Sequence, residues 1–296
     1  MGTRHDVTGK VVLITGAARG IGAQTARELA RRGARVAVTG LEPDLLKQLA
    51  AELGERHAWW ELDVTDQDAT NSVVASVADH FGGIDVVVTN AGVASYGTVR
   101  QIDPAAFART IEVNLTGMFR TAHAALPHVV GAKGYILVVA SLAAFTPLAG
   151  MAAYDASKSG AEALALSMRQ ELLHLGVDVG VCHPSWIDTD LVRDAETDLP
   201  SFRETRSHLP WPANSTTTVE HCASMIAQGV ERRARRVYVP KSVVAALLAR
   251  PIIGSGLAER MMRRRLALTV PRMEAEVNAL GRSFGRHTND AEAAAG

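Results

Sequence analysis

Thr15-Gly16-Ala17-Ala18-Arg19-Gly20-Ile21-Gly22 joins a short apolar run, Val11–Thr15, to a segment with helical periodicity. In such a stretch Gly16 permits a tight turn, Gly20 lets the backbone approach a phosphate, and Gly22 lets the helix pack closely on the strand. The N-terminus of the helix that follows favours an anion. The stretch therefore predicts a strand, a phosphate-binding turn and a helix, with an ordinary strand-to-helix turn as the alternative.

Strand-like and helix-like segments alternate from this point to about residue 240. The short runs Arg35–Thr39, Asp85–Thr89 and Asp178–His183 are rich in valine, and longer segments such as Met151–Leu175 have helical spacing. Continuous valine runs are typical of parallel strands that are buried on both faces. The alternation predicts an α/β fold with a doubly wound parallel sheet, whose ligand crevice lies at the carboxyl ends of the strands.

Composition excludes several classes of protein. Apolar residues make up 47% of the 296 residues and charged residues 21%, which indicates a folded globular chain. The 31 basic and 31 acidic residues balance, so net charge gives no argument for nucleic-acid binding. Two cysteines exclude a disulfide scaffold and a four-cysteine zinc site, and the ten histidines have no metal-ligand spacing. With no apolar signal segment and no run long enough to cross a membrane, we expect a cytoplasmic protein without a metal site.

Tyr154 and Lys158 are the strongest candidates for catalysis. Their spacing of four residues within a predicted helix places the phenol and the ammonium group on one face. A lysine cation beside a tyrosine stabilises the phenolate, which lowers the pKa of the phenol and suits it to proton transfer. Ser141 follows a predicted strand, so its hydroxyl would meet the same substrate oxygen at the crevice. Asn114 interrupts a long helical segment, where it either kinks the helix or belongs to a polar chain that leads to Lys158.

Together and in this order, these motifs strongly resemble the short-chain dehydrogenase/reductase family over about Thr8 to Pro240. The resemblance implies a Rossmann-type fold and hydride transfer between a nicotinamide cofactor and a carbonyl or secondary alcohol. It implies a catalytic set in which Tyr154 is the general acid/base, Lys158 binds the nicotinamide ribose, Ser141 orients the substrate carbonyl and Asn114 holds a water in a proton relay. The cofactor-binding residues that it implies are Gly16, Gly20, Ile21, Gly22, Asp63, Val64, Asn90, Ala91, Gly92, Tyr154, Lys158, Pro184, Ile187 and Thr189.

Two departures from the family pattern are mild. Thr89-Asn90-Ala91-Gly92 stands where the family has Asn-Asn-Ala-Gly, and Pro184-Ser185 where it has Pro-Gly. Neither change removes a catalytic group, which argues against a non-catalytic, nicotinamide-responsive binding protein. Among enzymes, a 3-oxoacyl-thioester reductase is the alternative to an oxidoreductase that acts on small ketones, steroids or other secondary alcohols.

The residues after the second predicted strand bear on the choice of cofactor. Gly40 occupies the position where the family resemblance places an acid, which would bind the ribose 2′-hydroxyl of NAD. Because that acid is missing and Arg19 is placed to meet a 2′-phosphate, NADP(H) is favoured. NAD(H) is the alternative, since Leu41 is not basic and Glu42 is within reach of a ribose.

Apolar side chains indicate the kind of substrate, and two helical segments indicate how the subunits assemble. Side chains predicted near the crevice indicate a hydrophobic substrate, with packing in the core as the alternative; they are Leu142, Phe145, Leu148, Met151 and Trp186. The stretch Asp188–Thr218 is expected to form a mobile lid. The helical segments Asn114–Val130 and Met151–Leu175 resemble the family's dimer-forming pair, which predicts a homodimer or homotetramer.

The sequence beyond residue 240 exceeds the usual family core. We therefore predict a catalytic domain at 1–240, a helical and basic extension at 241–287, and a disordered tail at 288–296. Eleven Lys and Arg but only two acids lie between Glu231 and Arg272, and they are interleaved with apolar runs. Packing of the extension on the core or on a second subunit is favoured, with peripheral contact to an anionic membrane as the alternative. Nucleic-acid binding is not expected, because the arginine-rich stretch 250–272 contains no aromatic residue that would form a base-stacking platform.

Overall fold

The computed structural model describes residues 5–209, 211, 214–253 and 255–295. Within them, seven parallel strands form one sheet in the order β3-β2-β1-β4-β5-β6-β7. The order reverses between β1 and β4, which makes this point the topological switch where such sheets bind ligands. The strands are β1 (Val11–Thr15), β2 (Arg35–Gly40), β3 (Ala58–Glu61), β4 (Val86–Thr89), β5 (Tyr135–Val139), β6 (Asp178–Pro184) and β7 (Arg236–Val239).

Helices cover both faces of the sheet. Those of the main body are α1 (Gly20–Arg31), α2 (Pro43–Leu53), α3 (Gln67–Phe81), α4 (Pro104–Ile111), α5 (Gly117–Gly131), α6 (Ala152–Leu172), α7 (Asp190–Asp198), α8 (Pro200–Ser207) and α9 (Val219–Glu231). The extension adds α10 (Val243–Leu248), α11 (Arg250–Ile253), α12 (Gly256–Leu280) and α13 (Arg286–Ala295). No helix among the described residues is both long enough and apolar enough to span a membrane.

Two apolar layers hold the sheet between its helices. All five residues of β1 are buried. Val12 and Ile14 join the cluster that includes Leu29 of α1 and Ile226 of α9, whereas Leu13 faces the opposite cluster. Because successive side chains of a strand point to opposite faces, a wholly apolar strand requires cover on both sides. The doubly wound arrangement predicted from the valine runs is confirmed.

The break predicted near Asn114 is present, but it does not end the helical path. Residues Glu112–Thr116 form a π-helical turn between α4 and α5. Such turns often occur at functional sites. The helix then continues through Pro127, which lies inside α5.

The extension divides into a packed half and an exposed half. Met273 of α12 is buried with Phe202 of α8, and Val277 and Leu280 pack against the same cluster. At the other end of α12, Leu257 is 68% exposed. The disorder predicted for 288–296 differs from the structure, which has helix α13 over Arg286–Ala295; residue 296 lies outside the described residues.

Candidate active site

A cleft opens at the carboxyl ends of the central strands, beside the switch between β1 and β4. Its wall brings together three of the four predicted catalytic residues, Ser141, Tyr154 and Lys158. The predicted cofactor-binding residues on the same wall are Gly16, Arg19, Gly20, Ile21, Gly40, Asp63, Val64, Asn90, Ala91, Gly92, Pro184, Ile187 and Thr189. The remaining two predicted residues do not line the cleft. Gly22 packs against the backbone of this wall, and Asn114 forms hydrogen bonds with it.

The Gly-rich turn forms an open cradle. Gly16 and Gly20 have φ angles of +62° and +57°, which favour glycine. A Cβ at Gly22 would stand 2.3 Å from the carbonyl oxygen of Gly16, so close packing requires glycine there. A Cβ at Gly20 would meet nothing nearer than Thr189 at 3.5 Å. The backbone at the start of α1 therefore faces open space, and this cradle fits the pyrophosphate of a dinucleotide.

Asn90 fixes the Gly-rich turn to the end of β4. Its side-chain Nδ2 donates to the carbonyl oxygens of Thr15 and Gly16, both at 3.0 Å. Its backbone N–H donates to the hydroxyl of Thr15 at 3.1 Å. These bonds cross the switch between β1 and β4, so Asn90 positions the phosphate cradle from its own place on the cleft wall.

The buried Asn114 side chain holds the loop that follows β4. Its Oδ1 accepts from the backbone N–H of Val93, and its Nδ2 donates to the carbonyl oxygen of Val93, each at 2.8 Å. Nδ2 also donates to the hydroxyl of Ser157 at 3.0 Å. A Cβ at Gly92 would lie 3.2 Å from Asn114 Oδ1 and 3.3 Å from Lys158 Nζ, so only a small residue separates the two groups. Asn114 thus joins the loop to α6, next to Lys158.

Tyr154, Ser141 and Lys158 form the reactive part of the wall. Burial raises the pKa of Tyr154, a hydrogen bond with Ser141 acts in the opposite direction, and the charge of Asp155 raises the pKa further. Lys158 Nζ lies 5.7 Å from the centre of the Tyr154 ring and donates to the carbonyl oxygen of Val139 at 3.1 Å. Burial lowers the pKa of Lys158 to about 8.

The electrostatics of this pair differ from the sequence prediction. The sequence predicted a tyrosine whose pKa is lowered by Lys158, but in the structure burial dominates and the Tyr154 pKa is raised. A buried phenolate loses hydration, and a lysine that does not touch the phenol does not replace it. The arrangement therefore presents Tyr154 as a phenol that can donate a proton, with Ser141 hydrogen-bonded to it.

The far end of the cleft carries two clusters of charged groups, one around Asp63 and one around Arg19. Asp63 accepts from the backbone N–H and hydroxyl of Thr65 at 2.9 and 2.8 Å and pairs with Arg109 at 3.2 Å. Burial by itself would raise the pKa of Asp63, but these bonds outweigh it, so the pKa is lowered. Arg19 pairs with Glu42 and, at 3.4 Å, with Asp190. Sequence reasoning missed Arg109, because only the fold brings α4 to the end of β3.

The predicted substrate side chains lie away from the described cleft wall. Leu142 and Phe145 are buried with Val243 of α10, because the chain turns into a short 3₁₀ segment directly after Ser141. Met151 and Trp186 pack with the cluster around Phe202. Leu148 donates its backbone N–H to Asp155 at 2.9 Å. Four of the five residues therefore pack in apolar clusters, which is the alternative to substrate contact. The fifth, Leu148, lies beside α6, the helix that carries Tyr154.

Other residues form the part of the wall that the sequence did not predict. Val93 follows β4, and Leu191 and Val192 belong to α7 within the expected lid. Three more wall residues, His287, Thr288 and Ala291, come from α13 at the end of the chain. No short motif marks these three positions, since long-range folding alone brings them to the cleft. The described residues contain no cluster of His, Cys, Asp and Glu that could hold a metal ion.

Comparison with known proteins shows which family and which relatives this chain is similar to. The sequence model of the short chain dehydrogenase family matches residues 10–200. The chain is 34% identical over 222 residues to the cis-4-hydroxycyclohexanecarboxylate dehydrogenase of Sinomonas cyclohexanicum, which covers 74% of this chain and 88% of that protein. It is 33% identical over 189 residues to the 3-oxoacyl-[acyl-carrier-protein] reductase FabG of Vibrio cholerae, covering 64% and 78% of the two chains. The crystal structure of gox2181 shares the fold, with a TM-score of 0.73 at 24% identity over 80% of this chain and 96% of that chain.

Proposed function

The chain belongs to the short chain dehydrogenase family and is an NAD(P)-dependent oxidoreductase, and we propose that it interconverts a hydrophobic carbonyl compound and its secondary alcohol, with Tyr154 as general acid/base. The observation that carries this proposal is the meeting of Ser141, Tyr154 and Lys158 on one wall of a cleft whose far end is the Gly-rich turn. A bound nicotinamide cofactor supplies or accepts the hydride there.

Each side chain has a distinct part in the proposed reaction. In reduction, the Tyr154 phenol donates its proton to the substrate oxygen as that oxygen gains negative charge; in oxidation, it takes the proton from the hydroxyl. The Ser141 hydroxyl donates a hydrogen bond to the same oxygen and orients it. Lys158 binds the nicotinamide ribose from its buried position beside Tyr154. Asn114 keeps Lys158 and the loop after β4 in place through its bonds to Val93 and Ser157.

Removal of the Tyr154 hydroxyl tests this assignment. We expect Tyr154→Phe to bind the cofactor like the wild type but to lose at least about 100-fold in kcat, since general acid–base catalysis contributes about 10²–10⁴. The assay follows NADPH absorbance with cyclic ketones such as 4-oxocyclohexanecarboxylate as probes. Turnover by the variant close to that of the wild type would rule out Tyr154 as the general acid/base.

We propose NADP(H) as the preferred cofactor. Gly40 leaves the end of β2 without an acidic side chain, and a Cβ there would meet nothing nearer than 3.7 Å. Arg19 lies on the same part of the wall, where a 2′-phosphate would replace Glu42 as its partner. NAD(H) is the alternative, in which Glu42 accepts a hydrogen bond from the ribose. Parallel titrations with NADPH and NADH decide between them.

A 3-oxoacyl thioester is the second candidate substrate, favoured by the likeness to the reductase of Vibrio cholerae. Acetoacetyl-coenzyme A is a suitable probe, because it carries the same β-keto thioester group. A value of kcat/KM for this probe at least about tenfold above that for 4-oxocyclohexanecarboxylate would select the thioester reductase. The reverse ratio would select a reductase of cyclic ketones.

We propose that the enzyme forms a homodimer or homotetramer through α5 and α6. Phe119 of α5 is 47% exposed, and Leu173, just beyond α6, is 62% exposed. Burial of such side chains at a two-fold interface would remove apolar surface from water. Light scattering on the purified protein should give a multiple of the chain mass, and Phe119→Asp should shift it towards the monomer. A monomeric wild type would exclude this interface.

We propose a cytoplasmic protein with residues 1–240 as its catalytic domain and a helical extension, 241–287, in which the exposed end of α12 touches anionic membranes. Both cysteines are free and buried, which suits a reducing compartment. The membrane contact is supported by one face of α12, where Leu257, Met261 and Leu268 are 68%, 77% and 71% exposed. Arg260, Arg263 and Arg264 are exposed beside them. Apolar side chains flanked by arginines are typical of helices that lie in a membrane interface.

Vesicle sedimentation tests the membrane contact. We expect binding to vesicles that contain phosphatidylglycerol but not to pure phosphatidylcholine, and loss of binding in Met261→Ser. The matched control is Val99→Ser, which changes another highly exposed apolar residue, 77% exposed, on a different part of the chain. If the same amount of wild-type protein sediments with and without anionic vesicles, the proposal is excluded. If the molecular mass of Met261→Ser in solution changes with protein concentration, α12 forms a subunit contact instead.

A further inference from the structure

Helix α13 contributes a wall to the active-site cleft from far outside the family-matched region. His287, Thr288 and Ala291 lie on this wall, whereas the family match ends at residue 200. Their spacing of one and four residues places them on one face of α13. The neighbouring part of the wall is the start of α7, where Asp190 pairs with Arg19 of the Gly-rich turn.

The Asp194 carboxylate of α7 holds the start of α13 at two points. Its Oδ2 accepts from the backbone N–H of His287, and its Oδ1 lies 2.9 Å from the ring Nδ1 of the same residue. The Asp194 side chain is only 12% exposed, so solvent screens these bonds weakly. A Cβ at Gly285 would stand 2.8 Å from Asp194 Oδ2 and 2.9 Å from the Tyr96 hydroxyl, so the chain enters α13 in close contact with both.

The segment before α13 is attached both to the residues that follow β4 and to α7. The backbone N–H of Tyr96 donates to the carbonyl oxygen of Ser283 at 2.7 Å, and Ser95 and Phe284 form an antiparallel bridge. Arg282 pairs with Asp198 at the end of α7 at 2.6 Å. The segment therefore runs from the loop that follows β4 to α7, and both of these elements form walls of the cleft.

We propose that α13 is an additional contact surface for the bound dinucleotide, and that the cofactor exchanges only when α13 leaves α7. The proposal rests on the assignment of the cleft as the cofactor site. On the cleft wall, His287 and Thr288 supply polar groups and Ala291 an apolar one. Asp194 acts as a positioning residue, because it holds His287 and does not itself line the cleft.

Dissociation of NADPH from the full-length protein tests this role. Preformed complex is mixed with excess NADP⁺ in a stopped-flow instrument, and the loss of nucleotide fluorescence gives the dissociation rate constant. We expect His287→Ala and Asp194→Ala each to raise this constant about tenfold, which corresponds to about 1.4 kcal/mol. The control is Asp290→Asn, because Asp290 is 70% exposed and pairs only weakly, at 3.9 Å, with Arg286. Its rate constant should stay within about twofold of the wild type.

Hydrogen exchange provides a second readout that does not depend on a variant. The amides of 286–291 should exchange more slowly in the wild type when NADPH is bound. Rate constants for both alanine variants within about twofold of the wild type, with normal circular dichroism, would overturn the role of α13 while leaving the cofactor site intact. Failure of the wild type to bind NADPH and NADH would instead overturn the proposed function, and the role of α13 with it.

Discussion

Asp155, next to the catalytic tyrosine, offers a quantitative test of the electrostatics of this site. It lies in the first turn of α6 and is 8% exposed. Burial raises its pKa to about 7, although a hydrogen bond from the backbone N–H of Leu148 acts in the opposite direction. The folded protein therefore keeps a proton on Asp155 at pH values where the unfolded chain, with a pKa near 3.9, has lost it.

The sign of the effect follows from this proton. Between the two pKa values the folded state binds more protons, so the contribution of Asp155 to the free energy of unfolding falls as pH rises towards 7. Each pH unit is worth about 1.4 kcal/mol, so the loss between about pH 5 and about pH 7 amounts to about 3 kcal/mol as an upper limit. Above pH 7 the contribution is constant.

Asp155→Asn removes the ionisation but keeps an oxygen that can accept from Leu148. We expect the variant to gain stability relative to the wild type by about 1–3 kcal/mol when the pH is changed from about 5 to about 8. Urea unfolding followed by circular dichroism at a series of pH values measures the difference. The control is Asp79→Asn, which replaces an exposed carboxylate on α3, away from the site, and is measured in the same series. A stability difference for Asp155→Asn that does not change with pH would contradict the raised pKa of Asp155.

Three further predictions test other parts of the site. Because the pKa of Lys158 is about 8, NADPH affinity should fall as pH rises through that value, and titrations of Lys158→Met should show weaker binding without this dependence. Glu42→Gln removes the charge that pairs with Arg19, so the ratio of the NADH to the NADPH dissociation constant should rise about tenfold. Arg19→Ala should lower this ratio. Equal ratios in the wild type and both variants would contradict the proposed contact of Arg19 with the 2′-phosphate. Gly22→Ala places a Cβ 2.3 Å from a carbonyl oxygen of the Gly-rich turn, which should cost about 1–3 kcal/mol of stability and abolish cofactor binding. Gly131→Ala, a helical position with open space around it, should neither lower Tm nor weaken NADPH binding.

The central fold was predictable because its signals are local. The strand Val11–Thr15 has the bounds that the sequence predicts, and β2 begins at Arg35, as predicted. A wholly apolar strand and a following Gly-rich turn depend on neighbouring residues, which short-range physics determines. The polar groups at the strand ends, Ser141 among them, then reach one cleft because parallel strands share a carboxyl edge.

The substrate side of the cleft was not predictable in the same way. Phe145 follows Ser141 closely in sequence, yet the 3₁₀ turn directs it into the core with Val243. His287 is far away in sequence, yet it lies on the wall because Asp194 binds it. The sign of the Tyr154 pKa shift was also missed, since burial is a property of the folded chain rather than of the Tyr-x-x-x-Lys spacing.

Equilibrium titration of the purified protein with NADPH and NADH tests the central claim most directly. Enhancement of nucleotide fluorescence at fixed salt concentration measures both dissociation constants, for the wild type and for Tyr154→Phe side by side. We expect both proteins to bind, NADPH to bind more tightly than NADH, and the loss of the phenol to leave the affinities nearly unchanged. Binding of neither nucleotide by the wild type would contradict the assignment of this cleft to a nicotinamide cofactor, and with it the proposed reaction.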